Sequence, residues 1–233
     1  MRLAVIPARG GSKRIPRKNV KPFCGKPMIA WSIEVAQSSG CFDRVIVSTD
    51  DAEIADVART WGAEVPFVRP ASLSDDHTGT IPVIAHAVEW VRAHGQAPTE
   101  VCTLYATAPF VRGQDLQQGL QTLLDQGGDY AFAVTSYAFP IQRAVRITQA
   151  GRVQMFDPAQ FTTRSQDLEE AYHDAGQFYW GKADAWLQAA PIFSERSAPV
   201  MLPRHRVQDI DTPEDWLRAE LMFKLLASMD GEH

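Results

Sequence analysis

The sequence predicts an α/β protein, a Rossmann-like, mostly parallel sheet with helices on both faces, and three observations carry that expectation. Short apolar runs at 3–7, 44–48, 101–105 and 130–135 alternate with segments in which apolar residues recur every three or four positions. The first run ends in a glycine-bearing loop, the pattern of a buried parallel strand feeding a ligand loop. A chain of 233 residues, 45% hydrophobic and 22% charged, suits one such domain with a sizeable core.

Taken in order, residues 3–7 form the first strand. A helix is expected from Pro27, whose fixed φ suits a first turn, to about Ser39. Strand 44–48 is centred on Val45, Ile46 and Val47. Asp50, with Glu53 three residues on, reads as the N-cap of a helix whose apolar face is Ile54, Val57, Ala58 and Trp61. Residues 65–68 read as a short strand, and Ile81, Ile84, Val88 and Val91 as one face of a third helix. Strand 101–105, a helix lined by Leu116, Leu120 and Leu123, and strand 130–135 follow. Near the end, Thr212 is an N-cap, Pro213 sits at the first helical position, and Glu214 and Asp215 fill the first turn of a helix carrying Trp216, Leu217, Leu221 and Leu225. Between about 137 and 200 the alternation lapses, which reads as an inserted arm within a single domain spanning 1–233. Sheets of this kind bind ligands beyond the carboxyl ends of their strands, so the loops after Ile6, Val47, Val68 and Leu104 carry the chemistry.

Charge narrows the function. The net charge of −5 argues against general nucleic-acid binding. No apolar stretch approaches membrane-spanning length, and the opening apolar run is too short for a secretion signal. Cys24, Cys41 and Cys102 form no CxxC pair and read as free thiols of a reducing, cytoplasmic setting. Against this acidic background, residues 1–33 hold no Asp or Glu. Eight of the 23 basic residues (Arg2, Arg9, Lys13, Arg14, Arg17, Lys18, Lys21, Lys26) fall within the first 26 positions. A local anion site explains that asymmetry better than a solvated basic face does, because the basic residues follow a buried strand and flank Gly10-Gly11. The loop 7–19 is neither a Walker A motif nor GxGxxG. Its logic is still phosphate binding. Two glycines admit a close approach of backbone N–H groups, and Arg9, Lys13 and Lys18 supply cationic donors.

As a longer string, Pro7-Ala8-Arg9-Gly10-Gly11-Ser12-Lys13 through Asn19 resembles the opening signature of sugar nucleotidyltransferases of the CMP-sialic acid synthetase family. Similar segments continue to about residue 218: Ile46–Asp50, Arg69-Pro70 with Leu73–Asp76, and Val207–Pro213. The strings Arg164–Leu168 and Tyr172–Gly181 resemble the branch of the family that handles pseudaminic acid. The resemblance implies a nucleotide-diphospho-sugar transferase type of fold. It implies CTP and an acidic nine-carbon sugar as substrates, Mg²⁺ (or Mn²⁺) as cofactor, a homodimer built through the arm, and a product used in surface glycan or flagellin glycosylation. It places Arg9, Ser12, Lys13, Lys18 and Asn19 on the triphosphate and ribose, and Arg69, Asp76, Thr78 and Thr80 on the nucleotide. Asp209 and Asp211 match the metal-binding Asp-x-Asp. Tyr105, Arg164, His173 and Phe178 fall at the sugar, with Arg164 reaching over from the neighbouring subunit. Arg9, Lys13, Asp209 and Asp211 are the catalytic set.

One departure bears on the sugar. The sialic acid enzymes of the family carry Gln-Pro-Thr-Ser-Pro after the strand ending at Leu104, and that Gln touches the sugar. Here the string is Tyr105-Ala106-Thr107-Ala108-Pro109, so Tyr105 takes the Gln position and favours a different nonulosonic acid. Bland readings stand beside these. On spacing alone Asp209 and Asp211 serve equally well as turn carboxylates near a helix N-terminus. His173 and Asp174, adjacent on a strand, point to opposite faces and make a poor acid/base pair. Phe178, Tyr179 and Trp180 suit core packing, Asp75 suits a turn, and Arg143 is a weaker second candidate for the sugar carboxylate. Rival functions are a synthetase for CMP-N-acetylneuraminate, CMP-legionaminate or an octulosonic acid, a CTP-binding regulator without turnover, and a structural scaffold.

Overall fold

Leu3, Ala4, Val5 and Ile6 are all completely buried, as a strand covered on both faces requires. They lie in β1 (Arg2–Pro7), an interior strand one from the edge of the main sheet of a computed structural model that describes residues 1–230. The chain continues through a minimal hairpin, β2 (Pro22–Phe23) and β3 (Lys26–Pro27), into α1 (Met28–Ser38). Then come β4 (Arg44–Ser48), α2 (Ala52–Thr60), α3 (Thr80–Ala93), β5 (Glu100–Leu104), α4 (Gly113–Gln126) and β6 (Tyr130–Ser136). A small hairpin, β7 (Val145–Ile147) and β8 (Val153–Met155), precedes β9 (Tyr172–Lys182), α5 (Ala183–Leu187), β10 (Ser197–Met201) and α6 (Pro213–Asp230).

The main sheet runs β10-β6-β9-β5-β1-β4. Its pairs are parallel except those of β9, which is antiparallel to both β5 and β6. Strand alternation sorts the core onto two faces. Ala4, Ile6, Val47 and Leu104 pack with Ile29 and Ile33 of α1 and Leu116 of α4; Leu3, Val5, Ile46 and Val101 pack with Ile84 and Val88 of α3 and Trp186 of α5. Full burial of each such side chain contributes ~1.5–3 kcal/mol. A third cluster of Phe23, Met28, Phe110, Ile210 and Trp216 clamps the start of α6 to the first part of the chain. That clamp carries residues 209–211 to the basic loop. No helix among the described residues is long and apolar enough to cross a membrane.

The mostly parallel sheet with helices on both faces is the architecture expected, and strand 44–48 and the helix beginning at Pro213 fall where the sequence puts them. The Thr212 cap is reciprocal: Asp215 N–H donates to Thr212 Oγ1 at 3.2 Å, and Thr212 N–H donates to Asp215 Oδ2 at 2.8 Å. Four expectations need correction. Residues 65–68 form no strand; only Glu64 bridges to Ile46, and Val68 is 78% exposed. Pro66 removes one ladder donor there, and the chain next returns to the β4 side only where Arg69 N–H donates to Thr49 O at 2.8 Å. The cap of α2 is Asp51, which accepts from Ile54 N–H, not Asp50. Pro27 stands at the N-cap of α1, one position before its first turn. The stretch 137–200 divides: 137–171 leaves the sheet, whereas β9 and β10 belong to it. The cysteines are free, Cys41 and Cys102 buried and Cys24 half-buried.

Candidate active site

The loop after β1 is held in place from both sides. Ala8 N–H donates to Ser48 O at 2.9 Å and Gly10 N–H to Asp50 Oδ1 at 3.1 Å. A Cβ on Gly10 would lie 2.6 Å from Asp51 Oδ2, so the loop approaches α2 more closely than any other residue permits. Asn19 Nδ2 donates to Arg9 O at 3.0 Å and braces the loop from within. Arg17, in the left-handed region at φ 56°, forks onto Asp51 at 2.7 and 2.8 Å and also meets Glu53. The Arg17 guanidinium holds the Asp51 carboxyl down at about 2. Arg17 is thus a tether, anchored on Asp51 and Glu53 at the start of α2.

The loop lines a cleft of about 600 Å³ at the carboxyl ends of β1 and β5. Arg9, Ser12, Lys13, Lys18, Asn19, Arg69, Asp76, Thr78, Thr80, Tyr105 and Asp211 all border it, so most of the expected nucleotide residues converge. Arg9 Nη1 donates to Asp76 Oδ1 at 2.6 Å, and Lys13 pairs with the other oxygen of the same carboxylate. These hydrogen bonds hold Asp76 below the usual carboxylate range. Arg69 is only 4% exposed, its guanidinium 3.5 Å from Asp50, and Nη2 makes no hydrogen bond. Burial lowers its pKa. A buried cationic donor left unsatisfied beside a cleft is suited to an anionic or carbonyl-bearing ligand. Asp75 is a turn residue: it accepts from His77 N–H, Thr78 N–H and Thr78 Oγ1, and these bonds lower its pKa.

At the other wall, Lys18 Nζ donates to Ile210 O at 2.6 Å and lies 3.3 Å from Asp211 Oδ1, while Arg14 meets Asp211 Oδ2 at 2.7 Å. Asp209 is pushed above the ordinary range, first by the protein around it and then by the Asp211 charge. Two like charges in such proximity fit a divalent cation, which relieves that repulsion. Among the described residues no group of three or more His, Cys, Asp or Glu gathers to hold a metal. Asp211 borders the cleft, whereas Asp209 is not among the residues that line it.

The sugar candidates separate. Tyr105 faces the cleft, its hydroxyl 3.2 Å from Thr80 Oγ1. His173 places Nδ1 2.8 Å from Asp174 O and packs its ring on Tyr137, so no side-chain acid/base pair forms. Arg164 lies on the 137–171 excursion, 71% exposed and paired with Asp167 at 2.7 Å, away from the cleft of its own chain. Arg143, also on the excursion, donates to Thr163 O. Phe178 corrects the expectation of a sugar contact: it is fully buried against Gly119 of α4, where a Cβ would lie 2.8 Å from its ring, and belongs to the core. Residues that sequence reasoning passed over include Asp50, Arg14 and the pair Asp174 and Tyr179. The acid run after β4, opposite a basic loop, was the available signal for Asp50.

A basic, glycine-bearing loop at the carboxyl edge of such a sheet, with Asp211 on the opposite wall of the cleft, suits a nucleotidyltransferase. The fold agrees: a CMP:2-keto-3-deoxy-manno-octonic acid synthetase solved with CTP superposes with a TM-score of 0.70 at 18% identity, covering 96% of this chain and 98% of that one. A model of the family described as cytidylyltransferase matches residues 3–227, and the chain belongs to that family. The pseudaminic acid cytidylyltransferase of Campylobacter jejuni is 46% identical over 223 residues, 96% of each chain. The CMP-N,N'-diacetyllegionaminic acid synthase of Legionella pneumophila is 31% identical over 230 residues, again 96% of each.

Proposed function

We propose that this cytidylyltransferase joins CTP to pseudaminic acid, giving the CMP-sugar and pyrophosphate. The observation that carries the reading is the convergence of Arg9, Lys13, Lys18 and Asp211 on one cleft, in a chain 46% identical along its length to a cytidylyltransferase of that sugar. The sugar's anomeric hydroxyl attacks the α-phosphorus as the α–β bridging bond breaks. Such transfers depend on positioning and charge neutralisation. Arg9 and Lys13 leave Asp76 for the phosphates and stabilise the charge that grows on the departing pyrophosphate. Arg69 and the hydroxyls of Thr78 and Thr80 hold the nucleotide, Ser12 and Lys18 its phosphates, and Asn19 keeps the loop in shape. Asp209 and Asp211 would hold Mg²⁺ or Mn²⁺, which supplies positive charge to the phosphate oxygens when bound.

The reading extends to assembly. Phe139, Ile147, Val153, Phe156 and Phe161 on the 137–171 excursion are exposed, an apolar surface suited to a second copy. A homodimer formed there would carry Arg164 and His173 toward a sugar site shared between subunits, where Arg164 meets the sugar carboxylate. The enzyme works in the cytoplasm, where CTP is made, and its product is a glycosyl donor for surface glycan or flagellin. Pyrophosphate release with CTP, Mg²⁺ and a panel of acid sugars tests the reaction. Turnover of pseudaminic acid alone is expected. Turnover of N-acetylneuraminic or legionaminic acid instead would move the sugar assignment, and no release with any sugar would leave a CTP-binding protein.

A further inference from the structure

Asp211 is met by two cations of its own chain, and they are not held alike. Its Oδ1 lies 3.3 Å from Lys18 Nζ, and its Oδ2 lies 2.7 Å from Arg14 Nη2. Lys18 is built in: its side chain is 18% exposed, and Nζ also donates to Ile210 O at 2.6 Å. Arg14 is 65% exposed, and among the described residues its guanidinium has no other ion pair or hydrogen bond. The backbone beside it is fixed. Ile15 is buried in the same cluster as Ile210, and its carbonyl accepts from Lys18 N–H at 3.2 Å. Asp211 is fixed too, since its N–H donates to Asp215 Oδ2 at 3.2 Å. A solvated head group on a fixed stem therefore sits against a fixed carboxylate, and Arg14 borders the same cleft as Arg9, Ser12 and Lys13.

We propose that Arg14 is an exchangeable counter-ion of Asp211 that couples divalent-cation binding to triphosphate binding. With Lys18 and Arg14 on its two oxygens, Asp211 faces more positive charge than it balances. A further cation is repelled there until one of the two leaves. Lys18 has burial and a second acceptor to keep it in place, whereas Arg14 has only the carboxylate and water, so Arg14 is the one that yields. Its guanidinium stays within the cleft and moves to phosphate oxygens, which it can meet in bidentate form. Phosphate thus draws Arg14 away and uncovers Asp211. By linkage, a divalent cation at Asp211 frees Arg14 for phosphate to the same degree.

This inference rests on the reading that Asp211 takes the divalent cation and the cleft takes CTP. It is tested with Arg14→Met, which keeps an unbranched stem and removes the charge, beside Arg14→Lys and Asp211→Asn. Mn²⁺ binding to the nucleotide-free protein is followed by the electron paramagnetic resonance of free Mn²⁺, and CTP affinity by calorimetry in Mg²⁺. Arg14→Met is expected to tighten Mn²⁺ about fivefold and to weaken CTP about fivefold. The opposite signs mark an exchange, because a merely structural role would weaken both. Arg14→Lys keeps the charge and should bind Mn²⁺ no more tightly than the wild type. In the Asp211→Asn background, Arg14→Met should change Mn²⁺ binding no further. The exchange is overturned by unchanged or weaker Mn²⁺ binding in Arg14→Met, by an unaltered CTP affinity, by a Lys variant as tight for Mn²⁺ as the Met variant, or by a gain that persists without the Asp211 carboxylate. If Asp211→Asn alters neither Mn²⁺ binding nor turnover, it is the metal reading underneath that falls.

Discussion

Around the cleft, charges are tied to elements far away in sequence: Arg9 and Lys13 to Asp76, Arg14 and Lys18 to Asp211, Arg17 to Asp51. In the 137–171 excursion the ion pair is Arg164 with Asp167, three residues apart, and large apolar side chains such as Phe139 and Phe161 stand open to solvent. The first region is preorganised by its own chain. The second holds little together by itself, which is the condition of a surface completed from outside. On the proposed reading, phosphate recognition belongs to the single chain, and the sugar carboxylate contact is the part that draws on a neighbour.

Removing Asp211 breaks the comparison most severely. Asp211→Ala is expected to lower kcat by roughly 10²–10³, while thermal unfolding shifts little because its partners Arg14 and Lys18 are partly exposed. Turnover near wild type would take the metal role away from this carboxylate pair. Next in size is the arm. Ile147→Glu with Phe156→Glu should halve the mass seen by light scattering and cut sugar turnover about a hundredfold with CTP affinity kept; an unchanged mass would remove the dimer from the reading. Arg9→Ala should raise the CTP KM about tenfold, since a charge-assisted bond is lost while the rest of the loop stays braced. An unaffected CTP KM would reduce the loop to a surface turn.

The smallest effect concerns the tether. Asp51 sits at about 2 in the folded chain, below the ordinary carboxylate value. Its contribution is complete above about pH 4 and is lost as pH falls from there through 2. Solvent screening of the partly exposed Arg17 limits the effect to about 1 kcal/mol. Asp51→Asn should therefore lower stability at pH 7 and flatten its decline in acid, as followed by urea unfolding at a series of pH values. Equal stability of the two proteins at pH 7 would mean that the tether contributes nothing.

Much of this was legible in the residues. Apolar runs such as 44–48 announce buried strands because nothing polar interrupts them, and Thr212-Pro213 announces a helix because its chemistry is local. The cleft residues were legible because a basic loop after a strand has few other uses. What stayed hidden depends on contacts distant in sequence. β9 mixes glycines and polar residues, and its bulge erases the period-2 signal, so a central strand reads as irregular. Phe178 reads as core packing or a sugar contact, and Gly119, which makes room for it, places it in the core. Residues 65–68 look like a strand by composition, but Pro66 takes a donor from their ladder. Arg164 stands exposed with Asp167 three residues on, away from the cleft, and no pattern within one chain says what it meets.

Asp76 has a consequence for how the enzyme waits between turnovers. By holding Arg9 and Lys13 it acts as a built-in counter-ion that offsets one of their two charges and lessens their mutual repulsion. On the proposed reading, arrival of the triphosphate is an ion exchange, one carboxylate given up for several phosphate oxygens. Exposed pairs of this type are screened by water and contribute little, so the exchange costs little. Because fewer salt ions are displaced than the number of cations suggests, nucleotide affinity should respond only gently to ionic strength.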